Sequence, residues 1–493
     1  MSPIVYLILP ALLVCVVLAS VWLDRWSVPV ILVALGTGIV CGSDVLNLWH
    51  FDDMVLTNEF ANLALVFILF HGGFVTKLAD FRVVALPAGG LATWGVLLTA
   101  AVTFSVLYGV LGWSMELSVL LAVIISSTDA AAIFSILRRQ SLPTRLSSTV
   151  EIESAANDPM AILLTTVAVA TFASGKEFNN VTVLLFFWKF GAGPILGYGA
   201  GRITIWMFNR VTPEDRGRYY VLFVGLLLLT YGLAESAEAS GMMAVFTAGL
   251  VMGNRPFVHK QGVLNFSEAL STIVNIAMFV MMGLLVFPRE WSEVWLDGLL
   301  LFVVLTFIAR PVAVFLGTLG MNFGLRDRMF ASWAGLRGAV PIVLATYPAA
   351  AGLQLGNQVF NLVFFAVILS ILVQGSTLGT VAGWLGLSRP ARPKAMFSLE
   401  MITMAKSDYD VVVIDLPGPK GGEGPRIRDL ALPEGAVITL VCRGDQVVPP
   451  KGETRLKGWD QVTVLAHAPD EDRIRETFMK AFQSHKTQAT MAS

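Results

Sequence analysis

Charge is scarce in this chain. Only 14% of its 493 residues are Asp, Glu, Lys or Arg, against roughly 25% in a soluble domain. The formal net charge is −1, so there is no basic footprint for a nucleic-acid partner. The cysteines, Cys15, Cys41 and Cys442, lie far apart and form no Cys-x-x-Cys or Cys/His ligand spacing. A disulfide framework and a structural zinc site are therefore unsupported. The N-terminus lacks a basic n-region and a small-residue cleavage site, so Ile4–Leu23 reads as a retained first helix rather than a signal peptide.

Apolar length is what the chain has instead. Its hydrophobic fraction is 55% and its mean hydropathy +0.71. Apolar stretches of spanning length recur from residue 4 to residue 387, and at about twenty residues per crossing they predict about thirteen transmembrane helices. The loop cations alternate with them. Loops after odd-numbered helices hold Arg25, Lys77, Arg82, Arg138, Arg139, Arg145, Arg210, Arg216, Arg218, Arg255, Lys260, Arg326, Arg328, Arg389, Arg392 and Lys394. Loops after even-numbered helices hold only Lys176 and Arg289. That bias predicts a multi-pass protein of a bacterial-type inner (cell) membrane, with its N-terminus outside and its C-terminus cytoplasmic.

Composition shifts after Leu387. Residues 1–388 are the expected membrane domain, and 389–407, with "RPARPKAM", the expected linker. Residues 408–483 read as a small soluble α/β domain: "VVVID", "AVITLVCRG" and "DQVTVLA" look like strands, and "DEDRIRETFMKAF" is a capped amphipathic helix. Residues 484–493 are polar and expected to be a disordered tail. "GPKGGEGP" at 418–425 lacks both G-x-G-x-x-G and the Walker Lys-Ser/Thr, so it reads as a flexible loop and not a phosphate cradle.

A charge at the bilayer centre costs about 2.5–3.5 kcal/mol on insertion scales. Those that occur here are therefore informative. Helix five carries Thr128 and Asp129, and helix six carries "EIESAANDPMA" with Glu151, Glu153, Ser154, Asn157 and Asp158. Helix eleven carries Arg310 and helix twelve carries Arg337. Glu151, Ser154 and Asp158 share one helical face, while Glu153 and Asn157 form a second pair further round. Buried acids outnumber buried arginines, so Asp129 and Asp158 cannot both be neutralised by them. A buried carboxylate without a counter-charge takes up a proton or binds a cation, and a group that holds either but not both is a minimal exchanger. Glu153 has a plainer reading as the structural partner of a buried arginine.

Ser126–Asp129 should break helix five, because its hydroxyls compete for the backbone. Gly335, Gly338 and Pro341 interrupt helix twelve. Broken helices in opposed halves point to an ion site at the midplane. If helices two to seven and eight to thirteen are paired as inverted repeats, the two breaks misalign by one helix. A step at Arg310-Pro311 in helix eleven, or a wrong boundary for helix nine, would account for the offset.

"STDAAA", "EIESAANDPMA", "ARPVAV" and "GLRGAVPIVLATYP" closely resemble the motifs of the NhaP-type monovalent cation/proton antiporters, in order and spacing. The C-terminal "RIRDLALPEGAVITLVCRGDQVVPPKGETRLKGWDQVTVLA" resembles the TrkA-C (RCK-C) domain of the potassium/proton branch. The resemblance implies an NhaA-like fold with broken crossing helices and a cytosolic regulatory domain. It also implies a homodimer and a role in pH homeostasis. Asp158 would be the essential proton- and cation-binding carboxylate. Asp129, the Thr128 backbone, Ser154 and Glu153 would line the site, so that a monovalent cation meets Asp158, Asp129, Ser154 and Thr128. Asn157 would hold the helix crossing, Arg310 would pair with Glu153, and Arg337 would balance charge near the crossing.

Asn157 stands where electrogenic relatives carry a second aspartate, so electroneutral 1:1 exchange is expected. Potassium is favoured by association with the C-terminal domain, and sodium is the alternative. His71 stands where many relatives carry an acidic residue and is a candidate pH-responsive group. No cofactor is expected; a small-molecule or nucleotide regulator of the C-terminal domain is a candidate partner. A passive cation channel would have its flux slowed by the buried arginines. A cation-coupled symporter would need a polar solute pocket that the oily helices do not offer. No nucleophile–base–orienter set lies at membrane depth, which argues against an enzyme.

Overall fold

The structure is a computed structural model. It describes residues 3–23, 29–48, 51–78, 90–129, 133, 140–175, 180–211, 215–321, 323–390, 409–417, 422–444, 446–467 and 470–491. Most of the expected linker (391–407), the first residues of the "GPKGGEGP" stretch (418–421), and Arg25, Arg82, Arg138, Arg139, Lys176, Arg392 and Lys394 of the loop tally lie outside the described residues. The chain divides into two compact units. One comprises Met1–Met207, Asp215–Pro256 and Leu264–Pro390, and the other Phe208–Glu214, Phe257–Val263 and Ala391–Ser493.

The helices of the first unit follow the apolar runs, since backbone donors and acceptors in hydrocarbon must be satisfied within their own segment. In chain order they are α1 (Pro3–Leu23), α2 (Val30–Cys41), α3 (Met54–Val75), α4 (Leu91–Gly109), α5 (Met115–Ile124), α6 (Thr144–Ala173) and α7 (Asn180–Arg210). There follow α8 (Arg216–Ser236), α9 (Gly241–Gly253), α10 (Lys260–Leu284), α11 (Pro288–Gly317), α12 (Leu325–Trp333), α13 (Ala339–Ala350) and α14 (Gly356–Trp384). Eight described helices are long and apolar enough to cross a membrane. Asp53, Ser114, Asp215 and Ser240 each accept a backbone N–H in the first turn of α3, α5, α8 and α9, as polar N-caps do. A two-stranded ribbon joins β1 (Gln140–Ser141) to β2 (Arg389–Pro390).

Two kinds of irregularity shape the core. Helix five stops at Ile124 and helix twelve is split between α12 and α13, leaving unwound backbone at 125–129 and 334–338. Wide π-helical turns occur at Leu91–Gly95 in α4, Val304–Ala309 in α11 and Ser370–Gly375 in α14. Helix eleven does not break at Arg310-Pro311. The proline follows the π turn directly, inside a helix that runs on to Gly317. The break in helix five meets the break in helix twelve, Asp129 bonding to Leu336.

In the second unit, β3 (Tyr409–Asp415), β5 (Val437–Arg443), β6 (Gln446–Val448) and β8 (Gln461–His467) form an antiparallel sheet in the order β3-β8-β5-β6. The short strands β4 (Glu423–Arg426) and β7 (Arg455–Lys457) pair separately. The latter half of the glycine-rich stretch is thus strand and not loop. Between β5 and β6 the register Arg443↔Gln446 leaves a two-residue turn, and Gly444 supplies its left-handed conformation at φ 64°. The last helix, α15 (Glu471–Met491), shares a core with Val412, Ile414, Val462 and Val464 through Ile474, Phe478 and Phe482, four residues apart. It runs on to Met491, through residues that read in sequence as a polar tail.

Candidate functional site

The two unwound segments bond to each other. Asp129 N donates to Leu336 O at 2.8 Å, and a methyl on Gly338 would collide with the Asp129 carboxylate. Only glycine permits that approach. Gly335 is under the same constraint, since a Cβ there would lie 2.7 Å from Arg310 Nε. Helix five ends where Ser126 Oγ takes the Val123 carbonyl at 2.7 Å, the hydroxyl competition its sequence foretells. Arg337 then reaches across, its Nη1 donating to Ser126 O at 2.9 Å and Ser127 O at 2.5 Å. A guanidinium thereby takes carbonyls that the end of α5 leaves unbonded.

Helix α6 supplies the other side. Asn157, 1% exposed, donates from Nδ2 to Thr128 Oγ1 at 2.7 Å and accepts from Thr128 N at 3.4 Å. Ser154 Oγ donates to Thr128 O at 2.8 Å. The backbone groups of the first break are thus taken up in turn by Arg337, Asn157, Ser154 and Leu336. An unwound segment in an apolar interior requires this, because each unbonded group would cost several kcal/mol.

The acids of α6 fall into different surroundings. Glu153 is buried and receives Arg310 Nη1 at 2.5 Å and Nη2 at 3.0 Å. Asp158 is half-buried and close enough to Asp129 for their charges to interact. Among the described residues it makes no hydrogen bond or ion pair. Glu151 is exposed. Asp129, Thr128, Ser154, Asn157, Asp158 and Arg337 are therefore brought together, with the Glu153–Arg310 pair beside them. His71 of α3 engages α10 instead, with Nδ1 3.2 Å from Ser267 Oγ and Glu268 near it. No group of three or more His, Cys, Asp or Glu that could hold a metal ion occurs among the described residues.

Sequence reasoning missed the supports behind the crossing. Ser370 Oγ accepts from Arg337 N at 3.2 Å and donates to Gln374 Oε1 at 2.5 Å, and Gln374 Nε2 donates to Trp333 O at 3.0 Å. A serine and a glutamine four residues apart in an otherwise oily span were the available signal.

Two unwound segments bonded to each other, with one carboxylate on the first of them and a second on the neighbouring helix α6, inside a bundle of apolar helices, make the architecture of a membrane ion transporter. The chain matches the sodium/hydrogen exchanger family (transmembrane) over residues 10–384, and it belongs to that family. It is 37% identical over 485 residues to the K(+)/H(+) antiporter NhaP2 of Shewanella oneidensis, covering 97% of this chain and 83% of that one. It is 33% identical over 487 residues to the K(+)/H(+) antiporter NhaP of Alkalimonas amylolytica, covering 98% and 85%. Its fold is similar to that of the sodium proton antiporter MjNhaP1 from Methanocaldococcus jannaschii, with a TM-score of 0.67 at 23% identity over 76% of this chain and 97% of that one. The protein is a transporter and not an enzyme.

Proposed function

We propose that the protein exchanges potassium for protons, one for one, by competition of the two at Asp158 under alternating access. The observation that carries this reading is the contrast within α6. Glu153 is matched by Arg310, whereas Asp158 is half-buried beside a second carboxylate with no cation of the protein bonded to it among the described residues. A carboxylate so placed is stabilised by a proton or by a cation from solution, and one excludes the other. Asp129, the Thr128 backbone and Ser154 complete the cation's surroundings, Asn157 and Arg337 hold the crossing, and Glu153 belongs to the scaffold. Potassium is favoured by the substrates in the names of the NhaP2 and NhaP relatives. Sodium stands behind it, as named for NhaS2 of Synechocystis, 28% identical over 355 residues.

On this reading about thirteen helices span the inner membrane, with the N-terminus outside. The protein is a homodimer, and the C-terminal α/β unit is a cytosolic regulatory domain of TrkA-C type that answers to a small ligand. The test is cation-driven proton flux in proteoliposomes, run with potassium, sodium, lithium and rubidium. Wild-type protein should respond most to potassium. Asp158→Asn should fold normally and exchange nothing, and robust flux in that variant would end the mechanism.

A further inference from the structure

We propose that Ser370 and Gln374 of α14 are positioning residues for the cation site, acting through the unwound segment at 334–338. The proposal rests on the site reading given above. Both side chains are buried in an apolar helix, each 1% exposed. Polar groups at such depth persist only when their hydrogen bonds are satisfied. Here every polar atom of the couple has a partner, and the partners outside α14 all belong to the broken helix.

The bonding is directional. Trp333 O, at the C-terminal end of α12, is a carbonyl that the helix itself leaves open, and Gln374 Nε2 fills it at 3.0 Å. Arg337 N, at the other end of the break, is taken by Ser370 Oγ at 3.2 Å. The hydroxyl proton of Ser370 goes to Gln374 Oε1 at 2.5 Å, so the two side chains lock each other's orientation. One turn further on, Thr377 Oγ1 accepts from Trp333 Nε1 at 3.1 Å. Residues 370, 374 and 377 lie on one face of α14, and that face grips both ends of the break.

Between the gripped ends lie the groups that touch the ion site. Leu336 O holds Asp129 N, and the Arg337 side chain holds the Ser126 and Ser127 carbonyls. The position of Asp129 is thus fixed from α14, without any contact between α14 and the cation. The π turns of α11 and α14 bear on the same place. Thr306 of one and Ser370 and Gln374 of the other line a small cavity with Arg337, and Arg337 Nη2 has no partner among the described residues. π turns open a helix in this way and are frequent at functional sites.

The experiment uses the full-length protein in proteoliposomes. Cation KM and kcat are measured from pH 6 to 9 for Ser370→Ala, Ser370→Thr and Gln374→Leu, with Asp158→Asn in the same set. Loss of either side chain removes two of these bonds, one of them to the break, and the lost bond to the break should raise the cation KM about tenfold. It should lower kcat by less than about threefold and shift the acidic limb of the pH profile. Ser370→Thr, which keeps the hydroxyl, should restore both. Should Gln374→Leu fail to fold, Ser370→Ala, which deletes one oxygen, carries the test alone. Wild-type KM and pH profile in Ser370→Ala would overturn the proposal, and so would Ser370→Thr being as impaired as Ser370→Ala. The site reading fails separately, through continued exchange by Asp158→Asn. If that variant is inactive while Ser370→Ala and Gln374→Leu behave as wild type, only the positioning role is lost.

Discussion

Removing Arg310 should destabilise the protein far more than removing it together with the charge of its partner. The side chains are 4% and 1% exposed, so both ions have given up nearly all their hydration. Two guanidinium N–H groups end on the two oxygens of Glu153 at 2.5 and 3.0 Å, and Nη2 also reaches Ala331 O at 3.3 Å. Geometry this close offsets the desolvation of the pair, but one ion alone has nothing to offset it. Breaking such a pair costs about 3–5 kcal/mol, while replacing both ions is nearly neutral. Arg310→Met should therefore lose about 3–5 kcal/mol, and Glu153→Gln should fall in a similar range. The double variant should return to within about 1–2 kcal/mol of wild type. The assay is thermal unfolding of the four purified proteins in one detergent, followed by tryptophan fluorescence. On the proposed reading, in which Glu153 is the partner of Arg310 and not an ion ligand, the folded double variant should still exchange cations for protons. Singles that melt with wild type, or a double that melts below both, would refute the pairing.

Gly338→Ala should leave the fold largely intact, at an overpacking cost of about 1–3 kcal/mol, yet raise the cation KM tenfold or more, because its methyl falls on the Asp129 carboxylate; wild-type KM in reconstituted protein would show that Asp129 is not held where the crossing puts it. Exchange should follow a bell-shaped pH profile whose acidic limb moves to lower pH as cation is added, since protons displace the cation and more cation opposes them. With the potential clamped by an ionophore, the rate should stay flat; a two-proton cycle would instead feel about 2.3 kcal/mol per charge per 100 mV, and a rate that tracks potential would refute a single exchanging carboxylate.

Much of this protein was legible from local chemistry. Apolar runs disclose membrane helices because a helix satisfies its own backbone wherever it lies. The serines and threonine of 126–128 and the glycines at 335 and 338 disclose where helices stop, since those residues act on backbone next to them. The strands and hairpin of the C-terminal unit could be read from alternation and from Gly444 for the same reason. Which interruption meets which was another matter. Counting helices suggested an offset, and only the packing brings Asp129 onto Leu336.

The division of labour between Glu153 and Asp158 is likewise tertiary. They are similar acids on one helix, and the periodicity of α6 says only that they face different ways. Arg310 makes the difference, and it stands beside Glu153 because α11 continues through its π turn instead of breaking. Ser370 and Gln374 were visible as polar residues in an oily span, but not as the supports of a break some forty residues before them. A sequence pattern reports what each helix presents; which neighbour receives it depends on contacts between segments far apart in the chain, and those exist only once the helices have packed.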